Sequence, residues 1–123
     1  MKILSADDSG MIRRVIKSTV ESMGHELLEA RDGQEALEVL EARGRDIGLI
    51  LLDWNMPRLD GLSLLKKIQV DSRLNTIPVI MVTTEVERNK VVEAIKAGAK
   101  NYVMKPFSQA DLVSKINETL GMG

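Results

Sequence analysis

Five short apolar runs punctuate the chain, at residues 3–6, 27–30, 47–52, 77–82 and 102–104. The third and fourth show no in/out alternation, which is how strands read when a parallel sheet is covered by helices on both faces. Between the runs, apolar residues recur at i, i+3, i+4 and i+7. Ile12, Val15, Ile16, Thr19, Val20 and Met23 form one such face, Ala36, Leu37 and Leu40 a second, and Leu62, Leu65 and Ile68 a third. Val91, Val92 and Ile95 form a fourth, and Leu112, Val113, Ile116 and Leu120 a fifth. Gly24, Gly44 and Gly98 follow the first, second and fourth stripes, where a left-handed C-cap is wanted. Ser108 precedes Asp111 by three residues, a loose capping box for the fifth helix.

Strict alternation of strand and helix predicts an α/β fold, (βα)5, with a parallel sheet. Five units are too few for an eight-fold barrel, so the sheet is open and doubly wound. Right-handed crossovers restrict its topology, and the strand order 2-1-3-4-5 is one common solution. That order puts helices 1 and 5 on one face and helices 2, 3 and 4 on the other. A ligand site then falls beyond the carboxyl ends of the strands, where the winding reverses between strands 1 and 3.

Composition narrows the function. A chain of 123 residues fits one domain. With 44% apolar and 28% charged residues it can bury a core. Seventeen basic against eighteen acidic residues leave a net charge of −1, which demotes a nucleic-acid binder. The longest apolar runs are six residues each, too short to span a membrane. Asp7 and Asp8 come too early for a secretory signal. With no cysteine there is no disulfide scaffold, thiolate nucleophile or thiolate metal site. The cytoplasm is the default location.

The strand ends carry the chemistry. Strand 1 runs into Asp7-Asp8, strand 3 into Asp53-Trp54-Asn55-Met56-Pro57, strand 4 into Thr83-Thr84 and strand 5 into Lys105-Pro106. Three carboxylates within a few ångströms repel one another unless a cation sits among them. Hard oxygen ligands suit Mg²⁺, with Asp8 and Asp53 as direct ligands, the Asn55 main-chain carbonyl as a third, and Asp7 acting through water. Zinc is disfavoured, because the only histidine, His25, lies at the other end of strand 2. Taken alone, Asp8 or Ser9 could simply cap helix 1. That does not account for Asp53, which ends an apolar strand and needs a partner. Lys105 could serve as its salt-bridge partner, as a clamp on a phosphoryl oxygen, or as both. Thr83 could donate to the same group, or close a turn as Thr84 does. A carboxylate can act as a nucleophile towards phosphorus to give an aspartyl phosphate, and Asp53 is the best placed.

The acidic pair Asp7-Asp8, the Asp53-Trp54-Asn55-Met56-Pro57…Asp60-Gly61 run, Thr83 and the Tyr102-Val103-Met104-Lys105-Pro106-Phe107 run together resemble bacterial two-component response-regulator receiver domains. The resemblance covers the whole chain in order and is closest to single-domain chemotaxis members. It implies that Asp53 takes a phosphoryl group from the phosphohistidine of a sensor histidine kinase or phosphotransfer protein, with Mg²⁺ required. It further implies that Lys105 and Thr83 contact the phosphoryl oxygens and that the Lys105–Pro106 bond is cis. Thr83 and Tyr102 would be switch residues that remodel the face made by helix 4, strand 5 and helix 5. Asn55 and Glu85 would tune phosphoryl lifetime. Thr84 departs from the small residue usual at its position.

The expected organisation is one receiver domain over residues 1–123 with no output domain, monomeric, signalling through a separate protein. The flagellar motor switch is the leading partner, and a phosphorelay intermediate is the alternative. An FMN binder shares the fold, but Asp7-Asp8 would repel its phosphate and aromatic platforms are scarce. An aspartyl-phosphate phosphatase would want an acid where Asn55 stands. Neither a nucleic acid nor a membrane is expected as a partner, and the protein is expected to catalyse only its own phosphorylation and dephosphorylation.

Overall fold

The computed structural model describes residues 1–84 and 90–121. Five strands alternate with five helices: β1 (Lys2–Ala6), α1 (Gly10–Ser22), β2 (Glu26–Ala30), α2 (Gly33–Arg43), β3 (Ile47–Asp53), α3 (Gly61–Val70), β4 (Val79–Thr84), α4 (Val91–Lys96), β5 (Asn101–Lys105) and α5 (Gln109–Leu120). The strands form one parallel sheet in the order β2-β1-β3-β4-β5. This is the doubly wound, flavodoxin-like arrangement anticipated from the alternation.

Successive residues of the central strands feed opposite cores. Ile3, Leu49, Leu51, Ile80 and Val82 pack with Ile16 and Val20 of α1 and with Leu112 and Ile116 of α5. Leu4, Ile50, Leu52 and Met81 pack with Ala36 and Leu40 of α2, Leu64 and Ile68 of α3 and Ala94 of α4. Both faces of β3 are therefore dry, which is why its sequence lacks alternation. Among the described residues no helix is long and apolar enough to cross a membrane.

Four of the helices, α1, α2, α3 and α5, start on a side-chain cap. The hydroxyl of Ser9 accepts from Ile12 N–H, and Asp32 and Asp60 accept from Glu35 N–H and Ser63 N–H. Ser108 and Asp111 complete a reciprocal capping box. Gly24 and Gly98 adopt the left-handed conformation at φ 84° and 114°.

Three expectations need correction. Gly44 is right-handed, at φ −55°, and leads into a 3-10 turn over Gly44–Asp46. A Cβ there would meet the end of the Leu74 side chain, which would have to shift. β4 begins at Val79, not at residue 77. Pro78 lacks the N–H a ladder needs and contributes only its carbonyl, which accepts from Ile50 N–H at 3.0 Å. The fourth apolar stripe does not face the core. Ala94 is the buried residue of α4, while Val92 and Ile95 are 62% and 44% exposed.

Candidate functional site

Because all five strands run parallel, their carboxyl ends share one edge. Asp7 follows the last residue of β1, Asp53 closes β3, Thr83 and Thr84 close β4, and Lys105 closes β5. Asp7 and Asp53 are 1% and 5% exposed, and Thr83 is fully buried. Asp8 is exposed. The Lys105 ammonium lies 2.9 Å from Asp7 Oδ2 and 3.3 Å from Asp53 Oδ1. The other oxygen of Asp7 accepts from Ser9 N–H at 2.9 Å, which ties it to the start of α1. The structure thus brings Lys105 to both buried carboxylates, and nearer to Asp7 than to Asp53.

Charge at this edge is out of balance. Carboxylate oxygens of Asp7, Asp8 and Asp53 all lie within 4.8 Å of one another. Three carboxylates against one ammonium leave two uncompensated negative charges. Burial first, then the neighbouring charge of Asp7, pushes the Asp53 carboxyl up to about 6, with Lys105 opposing the shift. Lys105 itself loses basicity through burial, but its pairing with Asp7 and Asp53 outweighs that and holds it above the usual lysine value. A divalent cation with oxygen ligands fits this donor set and would cancel the excess.

The neighbouring loops hold the carboxylates in place. Arg13 of α1 donates from Nη1 to the Asp7 carbonyl at 2.6 Å and pairs with Glu29 of β2 at 3.4 Å. Gly61 starts α3 directly against β3. Its N–H donates to the Trp54 carbonyl at 2.9 Å, and a Cβ would strike the Asp53 carbonyl oxygen. Asn55, exposed, stands in the β3–α3 loop two residues beyond Asp53. Trp54 is 5% exposed, and the Lys90 ammonium lies 5.5 Å from its ring centroid.

On the α4 side, strand register places Thr83 opposite Met104 and Met81 opposite Tyr102. Thr83 and Tyr102 therefore project to the same face of the sheet. The Thr83 hydroxyl donates to Met104 Sδ at 3.7 Å, a weak acceptor. Half-buried Tyr102 has the Lys115 ammonium 5.0 Å from its ring centroid. The Lys105–Pro106 bond is cis, as the motif implied. Glu85 lies outside the described residues. Arg13, Asp32 and Arg58 went unread in the sequence. For Asp32 a signal existed, since Glu35 stands three residues on, as in a capping box. Arg13 and Arg58 carried no such pattern.

A known family matches along nearly the whole chain. The model of the response regulator receiver domain matches residues 3–117. The chain belongs to the response-regulator receiver family. Among similar proteins, chemotaxis protein CheY1 of Helicobacter pylori is 47% identical over 122 residues, covering 98% of each chain. The chemotaxis protein CheY homolog of Campylobacter jejuni is 43% identical over 124 positions, covering 100% of this chain and 95% of its own. Among solved structures, chemotaxis protein CheY4 of Vibrio cholerae superposes with a TM-score of 0.85 at 33% identity, covering 96% of this chain and 97% of its own. The receiver domain of NtrX from Brucella abortus does so with a TM-score of 0.88 at 31% identity, covering 98% and 99%. As a receiver domain of the CheY type, the chain is consistent with phosphorylation-dependent signalling.

Proposed function

We propose that this receiver domain is a switch charged at Asp53 by the phosphohistidine of a sensor histidine kinase or phosphotransfer protein. The observation that carries the reading is the buried Asp7–Lys105–Asp53 cluster, with Asp8 beside it at the sheet edge. An Asp53 oxygen attacks phosphorus, the phosphorus–nitrogen bond to the donor imidazole breaks, and its electron pair returns to the ring nitrogen. An acyl phosphate forms on Asp53. Lys105 offers its ammonium to the transferred oxygens as a point charge. Thr83 gives up only a weak thioether acceptor when its hydroxyl turns to the same oxygens.

Asp8, Asp53 and the Asn55 main-chain carbonyl would hold Mg²⁺, with Asp7 reaching it through water. When bound, the cation supplies charge neutralisation for the transferring group. Asn55 and Glu85 tune how long the phosphoryl group survives. Towards other substrates the protein is not an enzyme.

Output runs through the α4–β5–α5 face, and the exposed Val92 and Ile95 support it as a docking surface. Phosphorylation adds about −1.5 to −2 charges beside Thr83 and Lys105. Thr83 and Tyr102 share a sheet face, so movement of one frees space for the other. The flagellar motor switch is the partner of this reading and the cytoplasm its location; the chemotaxis names of the relatives support a role in chemotaxis.

The test is labelling with acetyl phosphate or phosphoramidate. Asp53→Asn is expected to abolish it, and retained labelling would move the nucleophile elsewhere. Trp54 fluorescence is expected to respond to millimolar Mg²⁺ and to lose that response in Asp8→Ala.

A further inference from the structure

The β3–α3 loop holds a backbone conformation that its residue type disfavours. Arg58 sits at φ 69°, and the Leu59 N–H donates to the Pro57 carbonyl at 2.8 Å. An i+2 to i bond around a left-handed central residue is a γ-turn of the rarer, strained hand. Glycine or asparagine tolerates that conformation better than arginine. Such outliers persist only where their surroundings impose them.

The imposing contacts come from a distant element. Arg58 Nε donates to Asp32 Oδ2 and Nη2 to Asp32 Oδ1, both at 3.0 Å, in a two-pronged pairing. Asp32 is itself fixed as the N-cap of α2, accepting from Glu35 N–H at 2.8 Å. Beside it, Gly33 packs so closely under the loop that a Cβ would strike the Leu59 carbonyl. The loop is thus clamped to the start of α2, while the Gly61–Trp54 hydrogen bond fixes its other end.

We propose that the Arg58–Asp32 pair is a latch that presets the β3–α3 loop, so that the Asn55 carbonyl and Asp53 present their oxygens together to the divalent cation. Arg58 touches neither the cation nor the phosphoryl group and is a positioning residue. The inference rests on the metal-dependent reading of the site given above. Without the pair, the peptide at Arg58 relaxes to negative φ, the Pro57–Leu59 bond opens, and the upstream peptide planes turn. The Arg58 side chain is 56% exposed, so the latch is held by geometry and by its fixed acceptor more than by burial.

Two variants remove the latch in different ways. Arg58→Gly keeps the left-handed conformation accessible without the guanidinium. Asp32→Ser keeps an N-cap acceptor for α2 without the paired oxygens. Mg²⁺ is titrated against Trp54 fluorescence in the parent, both variants and the double variant, with thermal unfolding in EDTA alongside. Each variant is expected to bind Mg²⁺ about tenfold more weakly, the lower end of what loss of an outer support costs a metal site. The double variant is expected to be no worse than either, because both remove one pair. Arg58→Gly is expected to melt no lower than the parent, since glycine relieves the strained turn. A purely structural pair would lower the melting temperature and leave the Mg²⁺ affinity alone. Parental affinity in both variants, or additive losses, overturns the latch. A parent that ignores Mg²⁺ and takes no label at Asp53 overturns the reading of the site, and the latch falls with it.

Discussion

Asp53 is an acid placed where its charge is least welcome. Its folded value of about 6 lies above the ordinary carboxylate value of 3.8. Between those two pH values the folded protein therefore binds more protons than the unfolded chain, so stability falls as pH rises through the window. Above pH 6 the full cost remains, on the order of 3 kcal/mol. Asp53→Asn is expected to be more stable than the parent by that amount at pH 8 in EDTA, and equal to it near pH 4. Urea unfolding at a series of pH values checks this, and a pH-independent difference would contradict it. Lys105 has the reverse role. It is the cation that both buried carboxylates share. Lys105→Ala leaves two carboxylates facing each other and is expected to destabilise the metal-free protein by about 3 kcal/mol at pH 8. The same unfolding experiment reads this, and a neutral result would mean that water already screens the pair.

At the scale of elements, what could be read in the sequence was what repeats or what stands at a strand end. The unalternating run at 47–52 marked β3 as doubly covered, and the acids closing β1 and β3 marked the functional edge. The exposed side of α4 was not legible. A helix of six residues gives too few positions for periodicity to separate its faces, and Val92 and Ile95 look like core until packing shows Ala94 inward. Arg13 and Arg58 were invisible for another reason. Each acts on a neighbour brought close by the fold, Arg13 on the Asp7 carbonyl and Arg58 on the cap of α2. Gly61 was visible only as part of a motif, and the structure supplies its cause. α3 begins directly against the backbone of Asp53, with no room for a methyl group. Gly61→Ala is therefore expected to cost about 1–3 kcal/mol by overpacking. It is also expected to slow labelling by acetyl phosphate, because relief of the clash displaces Asp53. Urea unfolding and a labelling time course measure the two effects, and an unchanged rate would show that the strain is absorbed within α3.

Across the whole molecule, folding and the proposed cation binding draw on the same unfavourable charge. The fold gathers Asp7, Asp8 and Asp53 from the ends of two adjacent strands and pays for the assembly in raised energy at the edge. A cation bound there would recover that energy, because it would meet two carboxylates already desolvated and a third already collected beside them. At a free Mg²⁺ concentration a hundred times its dissociation constant, the gain in stability is about 2.7 kcal/mol. The gain is expected to depend on pH in a defined direction. Above pH 6 the Asp53 carboxylate is already ionised and the affinity is flat. Below pH 6 the cation must displace a proton, and the dissociation constant rises about tenfold per pH unit. In Asp53→Asn this dependence is expected to vanish along with most of the stabilisation. Melting temperatures with and without Mg²⁺ at pH 5, 6, 7 and 8 test the linkage. A stabilisation that stays constant across that range would place the cation away from Asp53, somewhere the charge imbalance of this edge does not reach.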